Sequence, residues 1–190
     1  MPKKKKTPKS KPIYQLKIIL ADIDPPIWRR VQVRENTTLK KLHLIIQAAM
    51  GWENDHMHQF EIDGVEYGEP VPGDMYYVED EAKVTLKTVA PKSRKRFQYE
   101  YDFGDSWVHD IKVEKILPLD PEVKYPLLLE GERACPPEDV GGVWGYEEFL
   151  EAIGDPKHSE HDEYLEWVGE DFDPEVFDIE KINLWLKKIK

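Results

Sequence analysis

A run of β-branched and aromatic residues over 13–22 gives way to apolar–polar alternation over 27–33 and then to a helical period over 39–50. Residues 13–22 (Ile-Tyr-Gln-Leu-Lys-Ile-Ile-Leu-Ala-Asp) are rich in β-branched and aromatic side chains and read as a strand. Asp24-Pro25-Pro26 marks a turn, because proline blocks helix and ladder alike. From 27 to 33, Ile27, Arg29, Val31 and Val33 fall on one side and Trp28, Arg30 and Gln32 on the other, as in the second strand of a hairpin. Leu39, Leu42, Ile45, Ile46 and Ala49 then recur at helical spacing. Thr37 or Thr38 supplies the N-cap of a helix over 39–50, and Gly51 ends it.

Further along, 58–62 and 65–67 read as strands joined by the tight-turn pair Asp63-Gly64. Two prolines, two glycines and several acids make 68–82 a long loop. Residues 84–89, 96–103 and 108–117 read as three more strands, with a basic turn over 91–95 and Gly104-Asp105 between the last two. Residues 118–142 look mostly irregular. Helices follow over 146–153, from Ser159 to about Val168, and over 179–189, where Ile179, Ile182, Leu186 and Ile189 share a face. The expected fold is α+β: a mixed, largely antiparallel sheet with a β-grasp-like ββα start and C-terminal helices packed on it. The expected organisation is a disordered basic tail over 1–12 and one domain over 13–190.

Charge is unevenly spread. The net charge is −11, yet residues 1–12 hold six lysines and no acid. Residues 130–180 hold 18 acids against Arg133 and Lys157. Such a surface repels a phosphate backbone, so the folded body is not expected to bind duplex DNA; the tail and Lys92–Arg96 are left as weak polyanion contacts. Six Trp and nine Tyr argue for a packed chain. One cysteine makes no internal disulfide, and no apolar run reaches membrane-spanning length, so a cytoplasmic, non-membrane protein is expected.

Two segments concentrate the chemistry: Tyr99-Glu-Tyr-Asp-Phe-Gly-Asp-Ser-Trp-Val-His-Asp110 and Arg133-Ala-Cys-Pro-Pro-Glu-Asp-Val-Gly-Gly-Val-Trp-Gly-Tyr146. If they share a site, Asp102, Asp105, His109, Cys135, Glu138 and Asp139 supply the hard-oxygen, imidazole and thiolate donors of a divalent metal. Equally, Asp side chains in such turns bond backbone amides, and lone cysteines pack as small hydrophobes. Gly141-Gly142-Val-Trp-Gly145 lacks the Gly-Lys-Ser/Thr ending of a phosphate loop. Its glycines fit positive φ or a close backbone approach. His56-Met-His58 and His158-x-x-His161 are further zinc-type pairs, with surface histidines as the plainer reading. Trp28, Arg30, Trp52, Trp107, His109 and Trp144 are the candidate ligand-binding side chains, walling a groove beside turns.

The order Pro-Pro-Ile-Trp-Arg-Arg (25–30), Leu-His-x-x-Ile-Gln-Ala-Ala-Met-Gly-Trp (42–52), His-x-Phe (58–60), Tyr-x-Tyr-Asp-Phe-Gly-Asp-x-Trp-x-His (99–109) and Cys-Pro-Pro-Glu-Asp-Val-Gly-Gly-x-Trp-Gly-Tyr (135–146) closely resembles the Ri-plasmid open-reading-frame-three-like family. The resemblance covers nearly all of 13–190. Some family members carry the label TnpR-like, as passenger proteins of insertion elements, and that label implies resolvase chemistry. The residues argue against it. Serine recombination needs a nucleophilic serine in a basic, DNA-facing site, and Ser106, the serine of a dense motif, sits among Asp102, Asp105 and Asp110. The expectation is a binding or adaptor module that engages a protein or cationic partner, not an enzyme and without a cofactor. A metal-dependent hydrolase or nuclease, and a DNA accessory acting through its tail, are the alternatives.

Overall fold

The computed structural model describes residues 11–73, 77–169 and 171–189. The expected tail over 1–12 lies outside them apart from Lys11 and Pro12. An eight-stranded sheet forms the body, in the order β5-β4-β3-β6-β7-β1-β2-β8. At its centre, β1 (Ile13–Leu20) pairs antiparallel with both β2 (Trp28–Arg34) and β7 (Trp107–Leu117). β3 (His58–Ile62) joins β4 (Val65–Gly68) and β6 (Arg96–Tyr101), both antiparallel. β5 (Glu79–Asp80) pairs parallel with β4, so the sheet is mixed but almost wholly antiparallel. Asp63 (φ 55°) and Gly64 (φ 76°) both take the left-handed conformation that a two-residue hairpin demands.

The alternation of apolar residues sets the core. Tyr14, Leu16, Ile18 and Leu20 of β1 join Val31, Val33, Ile111, Val113, Phe97, Tyr99 and Tyr101 in one buried cluster. α1 (Leu39–Met50) buries Leu39, Leu42, Ile45, Ile46, Ala49 and Met50 in the same cluster. Thr38 caps it by accepting from the Lys41 N–H at 3.2 Å, and Gly51 closes it at φ 106°. The C-terminal helices α3 (Gly142–Gly154), α4 (His161–Val168) and α5 (Ile179–Leu186) complete the fold. α5 buries Ile182 and Leu186 and packs against α1 and β8 (Leu127–Glu132). Its Asn183 side chain donates to the Leu128 carbonyl (3.0 Å) and accepts from the Leu128 N–H (2.9 Å).

Four elements differ from the sequence expectation. Residues 84–89 form no strand: Thr85 bridges Thr38, and the short helix α2 (Leu86–Val89) follows. The Leu86 and Lys87 N–H groups donate to the carbonyls of Thr37 and Glu35, so docking on the approach to α1 overrides β-branched preference. β8 emerges from a stretch read as irregular. α3 starts four residues early, at a glycine. α4 begins after Glu160 rather than with a Ser159 cap, and it has no side-chain cap bond.

Candidate functional site

The two dense segments meet. The Asp105 carboxylate accepts from the Gly141 N–H at 3.1 Å. A Cβ on Gly142, whose φ is +69°, would lie 2.5 Å from the Asp105 carbonyl oxygen, so only glycine fits there. Tyr101 donates its hydroxyl to Glu138 Oε1 (2.6 Å) and accepts from the Asp55 N–H (3.1 Å). The Trp52 indole stacks on Tyr101 and donates to the Pro136 carbonyl at 3.0 Å. Burial, then the Glu138 carboxylate, pushes the Tyr101 hydroxyl well above its ordinary pKa. It therefore stays a donor and holds the Glu138 turn to the 52–56 loop.

Around this junction His56 Nε2 lies 3.1 Å from Asp139 Oδ1, and His56 Nδ1 lies 3.8 Å from Asp102 Oδ2. His56, Asp102 and Asp139 each offer a donor atom within 4.8 Å of the other two, and so do Glu53, Asp55 and Glu138. Of the six candidate ligands, Asp102, Glu138 and Asp139 thus face such groups. Asp105 is engaged by Gly141. His109 is fully buried and donates from Nδ1 to the Trp107 carbonyl at 2.9 Å. Cys135 is half-buried, and burial pushes its thiol up to about 12, far from a thiolate at neutral pH. His56 and His58 diverge, and His158 and His161 each bond backbone.

The candidate groove residues occupy three places. Trp52, Trp107 and His109 are buried together, with the Trp52 and Trp107 rings 6.0 Å apart and Trp52 5.3 Å from His109. Trp28 is buried where β2 meets β8. It donates to Glu132 at 2.8 Å, with Lys17 and Arg30 over its ring. Arg30 is bound by Glu114 (2.8 Å) and Glu130. Trp144 stands on α3, 79% exposed.

A cleft of about 540 Å³ opens next to this junction, with His56 in its lining, along α1, β3 and the 68–82 loop. Leu44, Met57, Val71 and Phe103, all exposed, line it, and His43, Asn54, His58 and Glu81 form its polar lining. The His43 and His58 rings stack face to face, 3.4 Å apart and 2° from parallel. Gln47 donates to the Tyr99 hydroxyl (3.0 Å), which bonds His43 Nδ1 (2.8 Å), while His43 Nε2 bonds Asn54 Oδ1. The Asn54 oxygen only accepts, so the proton sits on Nε2, and Nδ1 accepts from Tyr99. That chain needs a neutral imidazole. Burial, then the neighbouring His58, lowers the His43 pKa to about 3. His58 Nε2 in turn donates to Glu81 Oε2 at 2.9 Å. Glu81 is 1% exposed, and its Oε1 has no partner among the described residues.

Comparison with known proteins identifies the lineage. The family model for plasmid pRiA4b ORF-3-like proteins matches residues 12–181. The chain belongs to the plasmid pRiA4b ORF-3-like family. An uncharacterised protein of Sinorhizobium fredii (strain NBRC 101917 / NGR234), y4hQ, is 42% identical over 175 residues, 90% of this chain and 89% of that protein. A crystal structure of a protein of unknown function from Methanosarcina mazei Go1, MM3350, matches with a TM-score of 0.82 and 41% identity. That match spans 90% of this chain and 97% of the other. In this ORF-3-like chain the sequence motifs mark the Tyr101–Glu138 junction, whereas the cleft draws mostly on residues outside the two dense segments, with Phe103 from the first of them. His43 and Gln47 carried a legible signal: both are polar at positions that helical spacing puts on the buried face of α1. Glu81 carried none, because it lies in an aperiodic loop. Among the described residues of the ORF-3-like fold, no helix is long and apolar enough to cross a membrane.

Proposed function

We propose that this ORF-3-like protein is a binding module and that the cleft beside α1 is where it takes hold of a partner. The observation that carries the reading is the cleft's construction. Four exposed apolar side chains, Leu44, Met57, Val71 and Phe103, surround a hydrogen-bonded polar lining. Apolar side chains cluster on a surface where something covers them, and a concave apolar wall with a few fixed polar groups suits a ligand or a partner's side chain. An NMR titration with N-acetyl-norleucine methylamide, an apolar side-chain mimic, tests it. Amide shifts are expected at Leu44, Met57 and Phe103, and Leu44→Asp should weaken binding at least tenfold, about 1.4 kcal/mol. Shifts scattered over the surface, or a Leu44→Asp variant that binds as before, would remove the reading.

A metal-dependent hydrolase is a second reading, favoured by the His56, Asp102 and Asp139 group. One imidazole and two carboxylates suit Mn²⁺, Fe²⁺ or Zn²⁺. Asp139 is exposed, which leaves room for a water that the ion would acidify. Calorimetry with Mn²⁺ and Zn²⁺ decides it. One ion per chain is expected, with affinity at least tenfold lower in Asp102→Asn. That substitution removes charge but keeps the acceptor for the Gly104 N–H (2.9 Å). No uptake of either ion, or an unaffected Asp102→Asn variant, would discard it. Resolvase chemistry draws no support, since the Ser106 hydroxyl donates to Glu100 at 2.8 Å in an acidic setting.

A further inference from the structure

We infer that the group received by the cleft is a basic side chain, lysine or arginine, of a partner protein, with Glu81 as its counter-charge. This rests on the cleft being a binding site, as argued above, and it names the chemistry selected there. Glu81 lines the cleft, is 1% exposed, and spends one oxygen on His58 Nε2 at 2.9 Å. Its other oxygen meets no donor among the described residues. A carboxylate has about four acceptor sites, and a buried one left unmatched costs free energy until a donor arrives.

Among the described residues of the cleft lining, no cation beyond the His58 ring it already bonds is free to meet it. His43, stacked on His58, is committed to a neutral form by Tyr99 and Asn54. Lys40, the lysine of the cleft lining, is paired with Glu69 at 3.3 Å. The incoming group must therefore bring the charge. Apolar walls make the resulting hydrogen bond stronger than it would be in water. The same walls suit the rest of a basic side chain: Leu44, Met57, Val71, Val78 and Phe103 offer apolar contact to its methylene stem. A volume of about 540 Å³ accommodates such a side chain with its flanking backbone. A protein partner fits better than a free amine, because Met57 and Val71 are 66% and 61% exposed and stand ready to meet a wider surface. The net charge of −11 draws basic partners toward the molecule.

The test extends the norleucine titration to N-acetyl-lysine methylamide, N-acetyl-arginine methylamide and n-butylamine, on wild type and Glu81→Gln. That substitution is isosteric and keeps an acceptor for His58; its melting temperature checks the fold. A basic amide is expected to bind at least tenfold tighter than norleucine, and Glu81→Gln should erase the difference. If Glu81→Gln does not fold, the wild-type discrimination alone decides. Norleucine binding as well as lysine and arginine would overturn the inference and leave the cleft reading intact. Butylamine binding as tightly as the amides would assign the site to small amines and overturn the protein partner. If no compound, norleucine included, shifts the cleft residues, the cleft reading falls and the inference with it.

Discussion

Lowering the pH from 7 to 4 is expected to cost the fold about 6 kcal/mol through two histidines alone. His43 and His109 both sit neutral in the core. Burial, then the His58 imidazole, holds His43 at about 3. Burial holds His109 at about 4, against hydrogen bonding to backbone that favours its charged form, and the like charge of Arg29 nearby lowers it further. An unfolded histidine titrates near 6.5. Between pH 6.5 and about 4 the unfolded chain therefore binds protons that the native state refuses, and stability falls as pH falls. Each histidine accounts for about 3 kcal/mol by pH 4, and the loss is essentially absent above pH 7. A domain with a total stability of roughly 5–15 kcal/mol feels this strongly. Urea unfolding at pH 7, 5.5 and 4.5 measures the slope. His109→Asn retains a donor toward the Trp107 carbonyl and should remove about half of it. A His109→Asn variant whose pH slope equals that of wild type would mean that this ring takes up protons as readily in the native state as in the unfolded chain.

Arg29→Met is expected to cost about 4 kcal/mol, whereas Arg30→Met, one residue along, should cost less than about 1 kcal/mol. The contrast follows from what each guanidinium touches. Arg29 is 1% exposed and faces carbonyls: Ala49 (2.8 Å), Trp28 (2.9 Å), Glu132 (2.8 Å) and Arg133 (2.9 Å). Ala49 belongs to the last turn of α1, whose carbonyls have no helical partner. The Phe177 ring covers the guanidinium at 4.7 Å. One side chain thus ties β2, the end of α1 and the 132–133 segment together, and its removal leaves buried acceptors unmatched. Lysine should not rescue it, since one ammonium cannot span four diverging acceptors. Arg30 is partly exposed and paired with carboxylates at the surface, where solvent screens the gain. Urea denaturation of the two single variants and of Arg29→Lys measures this. An Arg29→Met variant within 1 kcal/mol of wild type would contradict it.

The periodic parts of the fold were legible. β-branched and aromatic runs and the alternation of 27–33 located β1, β2, β3, β6 and β7, and the helical repeat with its threonine and glycine caps bounded α1 at 39–50. Alternation also carried a message about two polar residues. Arg29 shares a side with Val31 and Val33, and His109 with Trp107, Ile111 and Val113, so both are core residues set among apolar ones. β8 was illegible because Glu130, Gly131 and Glu132 look like loop. Its pairing with β2 is decided by Gly131, where a Cβ would collide with Phe177 and the Trp28 carbonyl. The approach of the two dense segments could be suspected from their composition, but its geometry could not. It depends on Asp105 meeting Gly141 and Gly142, residues 36 and 37 positions away. Glu81 was hidden for a similar reason. Its burial comes from the backbone bonds of its N–H to Gly68 and of its carbonyl to Lys40, which join three separate elements.

The amide of Asn183 has a consequence for how this molecule meets its own copies. A sheet with two free ends invites another chain to add a strand. At one end, Asn183 takes both the N–H and the carbonyl of Leu128, doing with a single side chain what one residue of a ninth strand would do. At the other, β5 is two residues long and both are acidic. One border is thus capped at Leu128 and the other is short and charged, and both features hinder the addition of a further strand.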